Sequence, residues 1–202
     1  MAKKTTLPEA PPAKRRRADA DRSVAAILAG ALAALASDPD SSMSEIARRA
    51  GVVRATIYVH FPTRTELLDA VMEYAVAQVV EAMSGAEPSR GEPVEALERV
   101  LRATWRQLAQ FHGLLALNTA RLSAEELHRR HLPMLAQLEP LIERGQEQGI
   151  FRSDLPVAWH LAVIRAIVHT ASAAIQGGRI PESQAEPAML STAVAAISTR
   201  RR

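Results

Sequence analysis

The sequence predicts an all-α protein: a three-helix unit with a helix-turn-helix near the N-terminus, and a longer helical region behind it. Three observations carry this. Hydrophobic residues make up 48% of the 202 residues and aromatics only 3%, so a sizeable core must be built from Ala, Leu, Val and Ile. These residues recur at three- and four-residue spacing, not in strand-like alternation. Two capping boxes, Ser42 with Glu45 and Thr63 with Glu66, open helices on either side of a glycine turn.

Residues 1–18 mix Pro, Ala, Lys and Arg with almost no large apolar side chain, and read as a flexible basic arm. From Asp21 to Ala36 a helix follows, with Val24, Ile27, Leu28, Ala31 and Leu35 on one face. Asp19 or Asp21 can cap its start, and Asp38-Pro39 stops it. Ser42 opens a short helix whose inner face is Ile46, Ala47 and Ala50. Gly51 then supplies the left-handed turn, and a second short helix runs through Tyr58. Thr63 opens a long helix through Leu67, Leu68, Val71, Met72, Ala75 and Val79 to Gly85.

Beyond a polar linker at residues 86–93, Val94, Leu97, Leu101, Trp105 and Leu108 form a helical stripe. Leu114 to Leu122 reads as a shorter helix. Glu125 to Gln148 reads as a helix that Pro133 and Pro140 should kink or split. Pro156 to Gln176 is apolar on most faces, with a polar line of Arg165, His169 and Ser172, and Glu186 to Thr199 is the last helix.

The charge is informative once divided. Residues 1–17 carry +5 of a net +3, which leaves −2 for the remainder; within it, residues 44–64 carry +3. A basic arm and a basic segment on a slightly acidic body suit contact with DNA. Absence of cysteine excludes disulfides, thiolate metal sites and a cysteine nucleophile. No unbroken apolar run reaches a membrane-spanning length, and no apolar signal region follows the basic start, so a cytoplasmic protein without membrane contact is expected. There is no Gly-rich phosphate loop, Gly-x-Ser-x-Gly or His-Glu-x-x-His, so no catalytic residue, cofactor or enzyme activity is expected. His128 and His131 have i, i+3 spacing but no acidic or Cys partner, and no metal site is expected.

The segment from Ser44 to Leu68, Ser-Glu-Ile-Ala-Arg-Arg-Ala-Gly-Val-Val-Arg-Ala-Thr-Ile-Tyr-Val-His-Phe-Pro-Thr-Arg-Thr-Glu-Leu-Leu, resembles the DNA-binding motif of the TetR family of transcription regulators. Leu141-Ile-Glu-Arg-Gly-Gln-Glu-Gln-Gly-Ile-Phe-Arg152 resembles that family's approach to its last two helices. Two departures stand out: Val53 occupies the usual Ser or Thr cap of the recognition helix, and Arg64 replaces a commoner Lys.

The resemblance implies an N-terminal helix-turn-helix DNA-binding domain at 19–65 and a ligand-binding and dimerisation domain at 66–202. It also implies a ligand-responsive repressor that binds double-stranded operator DNA as a homodimer through its last two helices. Ser44, Arg54, Ala55, Thr56, Tyr58, Val59, His60 and Arg64 are the expected DNA-binding residues: Arg54 for a guanine edge or a phosphate, Thr56, Tyr58 and Arg64 for phosphates, and Val59 and His60 for tuning the sequence read. Small residues for close dimer packing are Ala158, Ala162, Ala166, Ala173, Ala188, Ala193 and Ala196, with Leu161, Ile164, Val168, Ile175, Val194 and Ile197 supplying area. The effector is a small molecule of unknown identity. Candidate pocket residues are Trp105, Phe111, Asn118, Met134, Leu138, Arg165 and His169, with Arg165 suited to an acidic ligand or an acidic side chain. Two alternatives compete with this reading: control by a protein partner, and nonspecific DNA packaging through the arm.

Overall fold

The computed structural model describes residues 13–109 and 123–199, and among these the chain is all-helical apart from one isolated bridge between Phe151 and Ser198. The helices are α1 (Ala13–Ser37), α2 (Met43–Ala50), α3 (Arg54–His60), α4 (Arg64–Gly85), α5 (Pro93–Ala109), α6 (Ala124–Glu147), α7 (Val157–Gln176) and α8 (Glu182–Ile197). α1, α2 and α3 form the N-terminal unit, which packs on the start of α4 through α1. The remainder of α4 packs on α5 and α6, and α7 pairs with α8 against α5 and α6.

The N-cap half of each box forms: Ser42 Oγ accepts from Glu45 N and Thr63 Oγ1 accepts from Glu66 N, each at 3.2 Å, while the Glu45 carboxylate turns to Arg48. Gly51 takes the left-handed conformation at φ 67°, and Val53 caps α3 with no side-chain hydrogen bond. Ile27, Ala31, Leu35, Ile46, Ala47, Ile57 and Phe61 are buried together and hold the three helices. α1 and α2 cross at Gly30, where an added Cβ would lie 2.5 Å from Ala50 Cα.

Several boundaries differ from the sequence reading. α1 begins at Ala13, so the helix includes the last residues of the expected arm and does not wait for Asp19 or Asp21. Ala and Arg are strong helix formers and extend a helix whose later turns are already anchored. α6 is one element containing both Pro133 and Pro140. Both prolines lie on its exposed side, where water can take the freed carbonyls, while Leu138, Leu141 and Ile142 are buried on the other. α8 begins four residues earlier than expected, at Glu182 after Pro181, and carries Pro187 inside it. The expected helix at 114–122 lies outside the described residues.

The linker after α4 is held, not loose. Arg99 donates to the carbonyls of Ala86, Glu87 and Arg90, and Arg144 to those of Pro88, Ser89 and Gly91. Two stretches, Ala20–Ser37 and Val157–Gln176, are long and apolar enough to cross a membrane by length and composition alone. Neither is an unbroken apolar run: abundant Ala raises the average, and Arg22 and Arg165 interrupt them. In the fold the first contributes Ile27, Ala31 and Leu35 to the core, the second Leu161, Ile164 and Val168.

Candidate nucleic-acid interface and effector cavity

α3 is short and two-sided. Ile57 faces inward, while Arg54, Ala55, Tyr58 and Val59 lie exposed, and Val59 keeps 77% of its surface. Thr56 and His60 are half-buried at the flanks, and Ser44 is exposed on α2, which packs against α3. A narrow exposed face of this kind fits a major groove. Arg54 Nη2 donates to Tyr58 Oη at 3.1 Å, and its guanidinium carbon sits 5.3 Å from the Tyr58 ring centre. The contact holds the cation on the outer face before any partner arrives.

Arg64 is arranged differently from the other seven candidates. Its Nη1 donates to the Ser41 carbonyl at 2.6 Å and its Nη2 to the Pro39 carbonyl at 3.3 Å. It therefore braces the loop between α1 and α2. Arg49 acts in a similar way. Its Nη1 donates to the Ala33 carbonyl at 2.8 Å and to Ser37 Oγ at 3.2 Å, tying α2 to the end of α1. Arg48 is paired with Glu45, whose carboxyl it holds below the ordinary carboxylate range by hydrogen bond and charge.

In the second unit a cavity of about 100 Å³ opens between α4, α5, α6 and α7. Met134, Leu138, Arg165 and His169 line it. Trp105 does not: it is 3% exposed in the core, and the α5 residues at the cavity are Leu101, Thr104 and Leu108. One residue of offset turns a side chain about 100° around a helix, enough to move it off that face. Phe111 and Asn118 lie outside the described residues.

The spacing of His128 and His131 hid the more informative pairing, which is between α6 and α7. His131 Nε2 lies 3.1 Å from His169 Nε2, and His131 Nδ1 lies 2.6 Å from the Leu127 carbonyl. Nδ1 of His131 therefore carries the hydrogen and donates to Leu127, so its Nε2 accepts from His169 Nε2–H. Burial lowers the pKa of both rings. His169 falls to about 4, helped by His131 and Arg165; His131 is lowered too, with Arg165 and His128 adding repulsion.

Stability should therefore depend on pH. His169 is neutral in the fold but binds a proton when unfolded, so its stabilising effect is complete above about pH 6.5 and is lost as pH falls toward about 4, and the lowered His131 acts in the same direction. For the half-buried His169 ring this amounts to on the order of 1–2 kcal/mol. His169→Gln is expected to flatten the loss of melting temperature between pH 6.5 and 4. Equal slopes for variant and parent count against it.

The outer faces of α7 and α8 divide the expected dimer residues. Ala158, Ala166, Ala173 and Ala188 are exposed, beside Trp159 at 55%. Leu161, Ile164, Val168, Ala193 and Ile197 are buried within the protomer, the first three against the cavity between α4, α5, α6 and α7.

Comparison with known proteins matches both units. The family described as bacterial regulatory proteins, tetR family, matches residues 27–71, and a tetracyclin repressor-like C-terminal domain matches residues 93–175. The HTH-type transcriptional regulator NfxB of Pseudomonas aeruginosa is 27% identical over 152 residues, 74% of this chain and 81% of that protein. The HTH-type transcriptional repressor LfrR of Mycolicibacterium smegmatis is 35% identical over 83 residues, 41% of this chain and 44% of LfrR. Among solved structures, the TetR transcription regulatory protein from Mycobacterium vanbaalenii is 35% identical with a TM-score of 0.59, covering 81% of this chain and 98% of that one. The structure of LfrR in complex with proflavine has a TM-score of 0.67 at 24% identity, covering 89% of this chain and 99% of that one. With the exposed α3 face and a helical second unit matched along most of its length, the chain belongs to the TetR family of DNA-binding transcription regulators.

Proposed function

We propose that this protein is a cytoplasmic repressor that binds a palindromic operator as a homodimer and is released by a small molecule. The α3 helices of two protomers enter successive major grooves, one DNA turn apart. The exposed faces of α7 and α8 meet their copies across a two-fold axis, with Ala158, Ala166, Ala173 and Ala188 allowing close approach.

The observation that carries the release mechanism is the position of α4. Its first turns bury Leu67 and Leu68 with the N-terminal unit, and farther along Met72, Ala75, Val76, Val79 and Met83 line the cavity. A ligand that favours one placement of α4 therefore changes the separation of the two α3 helices. A near-complete switch requires about 5.5 kcal/mol of differential affinity between the two states. The cavity itself favours a small molecule over a protein partner as the signal.

Deletion of the gene, followed by RNA quantification at the promoters that the protein occupies in cells, tests the repressor reading. Transcript levels at those promoters are expected to rise. A fall would identify an activator, and no change at any occupied promoter would remove the regulatory reading.

A further inference from the structure

The cavity's charged lining is one-signed, and this bears on what fits there. Arg130 of α6 and Arg165 of α7 both line it. Arg130 is already balanced: Nε meets Glu126 Oε1 at 3.0 Å and Nη2 meets Asp69 Oδ1 at 3.1 Å. Its Nη1 is buried with no hydrogen-bond partner among the described residues. Arg165 is different, because no carboxylate is paired with it among the described residues. The rest of the wall is Met, Leu, Val, Ile and Ala, with Thr104 and the His131–His169 pair as its other polar groups.

Resting on the effector reading above, we propose that the cavity takes a compact apolar molecule bearing one anionic head group, with Arg165 as its counter-charge. Three considerations lead there. An arginine facing an apolar space without a paired carboxylate is costly, and an anion removes that cost with a charge-assisted, bidentate contact. The unsatisfied Nη1 of Arg130 offers a second donor from the neighbouring helix. The His131–His169 pair is neutral near pH 7, because burial and Arg165 disfavour its charge, so Arg165 alone sets the excess charge and one anionic group matches it. The same arginine repels a metal ion from the two histidine nitrogens, and no group of three metal-ligating side chains exists among the described residues. A volume of about 100 Å³ is smaller than the apolar cavity of about 150 Å³ that holds benzene, so it limits the enclosed part of the ligand to about one ring or a short chain.

The test is calorimetric titration of the full-length protein with matched probes: benzoate, benzyl alcohol and benzylamine, then octanoate, octanol and octylamine. Each acid is expected to bind about ten-fold or more tighter than its alcohol, and the amines weakest. Arg165→Met should bring the acid down to the level of the alcohol while leaving the alcohol's affinity as it was; Arg165→Gln serves if the Met variant misfolds. Alcohols or amines that bind as tightly as acids, or an acid preference that survives loss of Arg165, overturn the anion assignment and leave the effector reading standing. Failure of all six probes to bind the folded protein removes both.

Discussion

Replacing Gly30 with alanine is expected to cost about 3 kcal/mol and to disable the N-terminal unit. The new Cβ would lie 2.5 Å from Ala50 Cα, 2.6 Å from its N and 2.7 Å from its Cβ. Two of these atoms are backbone, so no rotamer change relieves the clash; α1 and α2 must move apart. That separation breaks the Arg49 contact with the Ala33 carbonyl and loosens the seat of α3. The unit is small and cannot spread the strain over many neighbours. Gly85→Ala is the control, because nothing lies within 4 Å of its added Cβ; it should be neutral or slightly stabilising. Denaturant unfolding followed by circular dichroism compares the two. Equal stability of the two variants would mean that the helices do not cross as closely as described.

Ala55→Glu is expected to abolish operator binding without lowering stability. Ala55 is exposed in the first turn of α3, where an acidic side chain also complements the helix dipole. On DNA the carboxylate meets phosphate and base-edge acceptors. At about 1–3 kcal/mol for each wrong contact, twice per dimer, affinity should fall roughly 100-fold or more. Arg54→Ala should act more mildly and reduce the salt dependence of binding, as expected for a lost cation–phosphate contact. An Ala55→Glu protein that retains full affinity would show that α3 does not enter the groove.

What was legible in the sequence was mostly local. The helix-turn-helix rests on Ser42, Gly51 and Thr63, whose effects act within three or four residues, and each takes its expected place. Arg64 and Arg49 were not legible, because a long flexible cation reveals nothing of its destination until α1 is laid beside α2. The His131–His169 contact spans 38 residues and depends on how α6 meets α7, which no spacing rule contains. Trp105 misled because size and apolarity mark a core residue as readily as a pocket residue. Pro133 and Pro140 do not split α6, because a proline's cost depends on which side of the helix it occupies.

Everything proposed for regulation depends on a dimer that reads a specific palindrome through α3. Selection of bound sequences from random DNA by the purified full-length protein, at near-physiological salt, puts that dependence to the test. The expected outcome is a palindromic consensus whose half-sites lie about one helical turn apart, with Ala55→Glu enriching nothing. Binding that follows salt alone, with no sequence enriched by the parent protein, would contradict it.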